Sequence, residues 1–204
     1  MPRISDERRA ARRGQILDAA WTCFQRQGLH ATTMDDIIRA SGLSAGAVYS
    51  YFPSKEELIF AAVTTSLGAI GEEVAPILRQ RPPLAPDALV RALAETVTRF
   101  TARDGYDLRR IALLGWAEAQ RNERLRGVMR EAYLGFRVGL AAVAGAWRAE
   151  GALGPDVAPE DVAKTLLATV LGFVVQSALL GDVEAEELAD GLRALGGIER
   201  SGGG

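Results

Sequence analysis

The sequence predicts an all-α fold: a small N-terminal head of three helices containing a helix-turn-helix corner, followed by a larger helical body. Three observations predict it. Apolar residues recur at three- and four-residue spacing through the long segments. No segment of useful length alternates with the two-residue period of a strand, and no internal repeat is found. Residues 33–58, TMDDIIRASGLSAGAVYSYFPSKEEL, carry the start and stop signals of two short helices around a tight turn and the opening of a third. The head is therefore expected over residues 1–58, the body over 59–197, and a disordered Gly-rich tail over 198–204.

Residues 8–27 place Ile16, Leu17, Ala20, Cys23 and Phe24 at helical spacing, and Gly28 ends that helix. Thr33 is expected to cap a second helix reaching about residue 41, with Asp36 completing an acidic form of the capping box. Gly42 permits the left-handed backbone that a sharp corner needs. Ser44 can cap a third helix in which Val48, Tyr51 and Phe52 fall at i, i+3 and i+4 and share an inward face. The opposite face carries Ala45, Gly46, Ala47, Tyr49 and Ser50. Pro53 disfavours helical geometry at Phe52, and Ser54 with Glu57 makes an S-x-x-E box for a helix over 55–79.

In the body, Pro82, Pro83 and Pro86 break the chain before a helix over 87–103, and Gly105 ends that connection. Asp107 can cap a helix through 119. The next covers 123–150, with Leu125, Met129, Ala132, Tyr133, Phe136, Leu140, Val143 and Trp147 as its inward stripe. Gly151, Gly154 and Pro155 make a loop, and helices over 159–180 and 184–195 follow. Residues 162–180 are long and apolar enough to mimic a membrane span. Lys164, Thr165, Thr169, Gln176 and Ser177 interrupt them and no aromatic belt or basic flank follows, so a buried helix and no membrane partner are expected.

With 204 residues the chain can bury a substantial core. Its net charge of -2 is unevenly spread: residues 1–60 hold eight Lys/Arg against seven Asp/Glu, and the remainder sixteen against nineteen. The basic excess gathers at Arg3, Arg8, Arg9, Arg12 and Arg13, which suits one polyanion-facing end, although a solvated charge run gives the same pattern. Cys23 is the only cysteine, so no internal disulfide can form and a reducing, cytoplasmic setting is expected. The N-terminus is polar and basic with no apolar run behind it, so no signal peptide is read there. His30, the only histidine, reads as a surface loop residue without partners for catalysis or metal binding. With no G-x-S-x-G, P-loop or H-E-x-x-H element either, no enzyme, metal site or cofactor is expected.

The outward face of the third helix is small at its N-terminal end. A helix without bulky side chains there can bring methyls and backbone N–H groups close to the floor of a DNA major groove. The same spacing also occurs in αα-corners of helical proteins that never meet DNA, and local pattern leaves both readings open.

The order R-x2-IL-x-AA-x3-F-x3-G over 13–28, the Thr32-Thr33 pair, Ile37, G-L-S-x-G-x-V-Y-x-Y-F over 42–52 and S-K-E-x-L over 54–58 is similar to the N-terminal signature of the TetR family of bacterial transcriptional regulators. The resemblance covers about the first 60 residues. Ile38 and Ser41 stand where the family commonly has Ala, and Asp35 with Asp36 puts two carboxylates where the backbone of DNA would approach. A weaker resemblance, over 114–122 with Leu125 and Arg126, is to the sixth-to-seventh helix junction of one branch of that family.

What the resemblance implies is a repressor that binds a palindromic operator on double-stranded DNA as a homodimer and is released by a small hydrophobic inducer. The alternative is a helical protein-interaction module without ligand response. On the DNA reading, Lys55 meets a phosphate, and Thr33 both caps its helix and touches phosphate. Tyr49 and Tyr51 match family positions that donate phenolic hydrogen bonds to phosphates, while Ser44, Ala45, Gly46, Ala47 and Ser50 face the groove. The last two long helices would form the dimer interface through Leu167, Val170, Leu171, Val174 and Ala178 and through Leu188, Leu192 and Leu195. An inducer would be met by Phe100, Trp116, Gln120, Met129, Tyr133, Phe136, Phe173 and Gln176.

Overall fold

The computed structural model describes residues 6–103 and 106–197; Arg3, Gly105 and the tail over 198–204 lie outside the described residues. The elements are α1 (Asp6–Ala31), α2 (Met34–Ser41), α3 (Ala45–Tyr51), α4 (Lys55–Arg79), α5 (Pro86–Thr101), β1 (Ala102–Arg103), β2 (Tyr106–Asp107), α6 (Leu108–Ala119), α7 (Glu123–Ala149), α8 (Pro159–Leu179) and α9 (Ala185–Gly196). They form two compact units. One joins Met1–Leu67 to Ala102–Val128, the other Gly68–Thr101 to Met129–Gly204. The segment expected to close at residue 58 thus shares a unit with the first part of α4, with α6 and with the first turns of α7.

In the first unit, Ile16, Ala20 and Phe24 of α1 are buried against α2, together with Ile37, Val48 and Leu58. Trp21, absent from the expected stripe, is buried too and meets Phe24 edge-on with ring centroids 5.9 Å apart, a favourable aromatic geometry. A polar contact also ties the two helices: Gln15 Nε2, within α1, donates to the carbonyl of Ser41, the last residue of α2, at 2.7 Å. Arg13, expected in a free basic arm, is folded back. Its guanidinium lies 5.5 Å from the Phe52 ring centroid and donates to Thr65 Oγ1 at 3.3 Å.

The helix expected over 87–103 instead ends at Thr101, and Ala102 and Arg103 pair antiparallel with Asp107 and Tyr106. A two-residue ladder has no alternation to read, and what holds it is remote in sequence. The Tyr106 hydroxyl donates to Asp18 Oδ1 at 2.7 Å, and the Asp107 N–H donates to Gln25 Oε1, both acceptors on α1. Asp107 then caps α6 as expected, accepting from Arg109 N at 2.8 Å.

The second unit is organised on α5, which buries Leu89, Val90, Leu93, Ala94 and Val97 and packs on α8 and α9. Arg193 meets Asp87 at 2.7 Å and Arg91 meets Glu186 at 2.8 Å, so the first turn of α5 lies against the last turn of α9 and the two run antiparallel. The Arg193 guanidinium holds the Asp87 carboxyl below its usual range. Both pairs are solvent-exposed and set register more than they add stability.

α8 buries Ala163, Leu166, Leu167, Val170, Phe173 and Val174 within its own unit. Three residues expected at a dimer interface, Leu167, Val170 and Val174, are therefore core residues of this chain. Apolar spacing alone does not say whether a stripe faces its own chain or another. By length and mean hydropathy, α4 and α8 could each cross a membrane, but α8 carries its apolar stripe against α5, the pattern of a helix packed in a protein. Phe24→Ala should cost about 3–5 kcal/mol in urea-denaturation stability, whereas Val138→Ala, on a side chain 70% exposed, should change it by less than about 0.5 kcal/mol.

Candidate nucleic-acid interface

The corner forms from local chemistry. Thr33 is extended at φ -104° and its hydroxyl oxygen accepts from Asp36 N at 3.2 Å. Asp36 Oδ2 in return accepts from the Thr33 N–H at 3.0 Å and from the Thr33 hydroxyl at 2.7 Å. These Thr33 hydrogen bonds, first from the hydroxyl and then from the backbone, hold the Asp36 carboxyl below the usual carboxylate range. The Thr33 hydroxyl proton is thus committed to Asp36 rather than turned outward to a phosphate. Gly42 ends α2 at φ 66°, ψ 13°, a conformation an L side chain would strain. Ser41, where the family commonly has Ala, is buried but satisfied: its hydroxyl donates to Ile38 O at 2.8 Å and accepts from Leu43 N at 3.3 Å.

Ser44 caps α3 by accepting from Ala47 N at 3.3 Å. Val48 and Phe52 are buried, and Tyr51 is half-buried between core and surface. Ser44, Ala45, Gly46, Tyr49 and Ser50 are exposed on the opposite side, with Ala47 half-buried. Tyr49 is the one large side chain there, at 46% exposure. Ser50 is less available than its position suggests, because its hydroxyl donates to Ala47 O at 2.6 Å.

Lys55 departs most from expectation. Its ammonium is half-buried and donates to two backbone carbonyls, His30 O at 3.0 Å and Thr32 O at 2.9 Å. The box at Ser54 is also only half made. Glu57 N donates to Ser54 Oγ at 3.2 Å, but the Glu57 carboxylate pairs with Arg124 of α7, whose guanidinium carbon sits 3.7 Å from the Phe60 ring centroid. His30 lies beyond the break at Gly28 and is exposed, as expected of a surface connector residue, with Nε2 3.4 Å from Glu118 Oε2, a carboxylate that also holds Arg121 at 2.9 Å. The partners of Glu57 and His30 belong to α7 and α6, far along the chain, so neither pairing is legible locally. Arg39, with 78% of its side chain exposed in the last turn of α2, is a cation the sequence reading passed over. Burial pushes the Cys23 thiol up, as fits an inert core cysteine.

The residues expected around an inducer divide between the units. In the second, Phe100, Tyr133 and Phe136 are half-buried, Met129 and Phe173 are buried and Gln176 is exposed; in the first, Trp116 is half-buried and Gln120 exposed. The two amides are turned outward, because each falls on the solvent side of its helix. Ser177 was read only as an interruption of an apolar run. Among the described residues its Oγ is the buried side-chain polar atom with no hydrogen-bond partner.

Residues 16–62 match the family model described as bacterial regulatory proteins, tetR family, and residues 86–195 match the one described as BetI-type transcriptional repressor, C-terminal. The chain belongs to the TetR family of bacterial transcriptional regulators. The HTH-type transcriptional regulator UidR of Escherichia coli strain K12 is 27% identical over 91% of this chain and 92% of its own. The uncharacterized HTH-type transcriptional regulator YfiR of Bacillus subtilis is 42% identical over 66 residues, a match spanning 32% of either chain. Among solved structures, Salmonella enterica GusR superposes with a TM-score of 0.73 at 27% identity, covering 95% of this chain and 96% of that one. Members of the TetR family are DNA-binding transcriptional regulators and not enzymes.

The depressed Asp36 carboxyl sets a sign for the pH dependence of this TetR-type head. A folded-state value below the unfolded one of about 3.9 means that the stabilisation is complete above that value and is lost as pH falls through the folded one. Asp36→Asn should therefore lower the melting temperature at about pH 6 and reduce the further decline between about pH 4 and pH 2, followed by circular dichroism.

Proposed function

We propose that this protein is a repressor that binds a palindromic operator as a homodimer and leaves it when a small hydrophobic ligand occupies the body. The observation that carries this reading is the exposed, small-residue face of α3, presented by a corner whose caps are satisfied and whose Val48 and Phe52 are anchored in the core. The face has no Arg, Asn or Gln, the side chains that make bidentate contacts to base edges. Discrimination then rests on close backbone approach at Ala45 and Gly46, methyl contacts from Ala45 and Ala47, and the shape of the DNA. Tyr49, Tyr51 and Arg39 serve the phosphates, with Ser44 and Ser50 at the groove edge.

One head with so few contacts binds weakly, and pairing two heads on an inverted repeat is the natural remedy. In the second unit Leu179, Leu180 and Leu195 are each about two-thirds exposed, and Leu171, Ala178, Leu188 and Leu192 are half-buried. These supply the apolar surface for a partner subunit. For the ligand, Phe100, Tyr133 and Phe136 supply half-buried aromatic surface and the unpartnered Ser177 hydroxyl a polar anchor. Such a regulator works in the cytoplasm, where its operator is. The rival, an interaction module without ligand response, is distinguished by the ligand arm below.

Selection from a pool of random duplexes should enrich an inverted repeat that footprints with two-fold symmetry; a pool that enriches nothing sinks the operator. Leu179→Glu combined with Leu195→Glu should give monomers in the ultracentrifuge and about 100-fold weaker binding to the selected repeat. In a panel of hydrophobic small molecules, at least one should raise the melting temperature and release the DNA, and Ser177→Ala should weaken that release by about tenfold. A panel with no such compound favours the rival.

A further inference from the structure

We infer that Lys55 is a positioning residue for DNA binding, strapping the start of α4 to the peptide that launches α2 instead of meeting a phosphate. The inference deepens the operator reading and rests on it for its consequence, but the strap itself is a property of the free chain.

Lys55 is the first residue of α4, where the helix macrodipole presents its positive end. A cation is unfavourable there unless something else holds it, and Glu56 and Glu57, which follow it, are the charges that such a site prefers. What holds Lys55 is the end of α1. That helix breaks at Gly28, whose φ of 80° turns the chain out of helical register and leaves the carbonyls beyond it without helical donors. Gly28 O receives Thr32 N at 3.4 Å and Thr32 Oγ1 at 2.8 Å. His30 O and Thr32 O receive Lys55 Nζ at 3.0 and 2.9 Å. The ammonium of α4 thus satisfies two carbonyls of the connector that the Gly28 break leaves open.

The Thr32 carbonyl and the Thr33 N–H belong to one planar peptide unit. Its oxygen is held by Lys55 and its N–H by Asp36 Oδ2, at 2.9 and 3.0 Å. A peptide plane gripped at both edges cannot rotate, and Thr33 is the cap from which α2 departs. α2 in turn carries α3 through the Gly42 corner. Lys55 thereby sets the direction in which the reading helix is presented. Two of its three donors are spent on this, and drawing the ammonium out to a phosphate beyond the reach of the third would surrender both.

The test uses the full chain carrying Lys55→Met, Lys55→Arg or Lys55→Gln. In the free protein, Lys55→Met should speed amide hydrogen exchange over residues 33–37 by about tenfold while α5 and α9 are unchanged, and Lys55→Arg, which can reach both carbonyls, should restore protection. On DNA, Lys55→Met should lower affinity for the selected repeat by about tenfold yet leave the slope of log affinity against log salt as in the parent chain. A slope shallower by about one in Lys55→Met, or unchanged exchange over residues 33–37, overturns the strap in favour of a phosphate contact. If Lys55→Met fails to fold, Lys55→Gln decides in its place: it keeps amide donors and loses the charge, so a shallower slope again speaks for phosphate and an unaltered slope for the strap. A parent chain that enriches no operator overturns the operator reading alone, because the exchange comparison still judges the strap.

Discussion

A helix of seven residues has almost no stability of its own in water, because the first turn fixes several backbone dihedrals for one hydrogen bond and isolated helices below about 12–15 residues are marginal. α3 is such a helix. Its existence depends on what it buries and on how its ends are closed, and the architecture of the first unit follows from that demand. Val48 and Phe52 give it an anchor among the apolar residues of α1, α2 and α4, Ser44 satisfies its first turn, and Gly42 lets α2 arrive from the required direction. Since the inward face and the caps hold the helix, the outward face is free to be small, and smallness is what close approach to a groove requires.

The polar side chains of the head are largely turned on one another. Thr33 and Asp36 close a ring, Ser41 and Ser50 return to nearby carbonyls, and Lys55 reaches across to the end of α1. Even part of the basic arm is drawn in, through Arg13 and the Phe52 ring. A head built this way spends its hydrogen-bonding capacity on shape. The charge left for DNA is modest, which makes it a surface that fits a partner more than one that pulls it in.

What was legible in the sequence was whatever chemistry acts within a turn or two. The Thr33–Asp36 box, the left-handed Gly42, the Ser44 cap and the burial of Val48 each involve partners no more than four residues apart, or a periodicity that only one secondary structure satisfies. The body helices were found to within a residue or two for the same reason, save that the α5 helix gives way to a short strand pair fixed by Asp18 and Gln25 on α1. The partners of Lys55, Glu57 and His30, namely Thr32, Arg124 and Glu118, are 23 to 88 positions distant, and no local pattern announces them. Leu167, Val170 and Val174 show a different limit: hydrophobic spacing marks a face to be covered without naming the cover. Ser177 escaped notice because an orphaned hydroxyl is visible only once every candidate partner has a position.

The first unit is discontinuous in sequence, joining Met1–Leu67 to Ala102–Val128. Modular inheritance in such a protein does not follow the chain. A chimera that grafts only the N-terminal stretch onto a relative's body would separate Asp18 and Gln25 from Tyr106 and Asp107, and Glu57 and Phe60 from Arg124. The transplanted piece would keep the exposed face of α3 but lose these partners of α1 and α4. The unit that holds these pairings together is the head with the 102–128 segment.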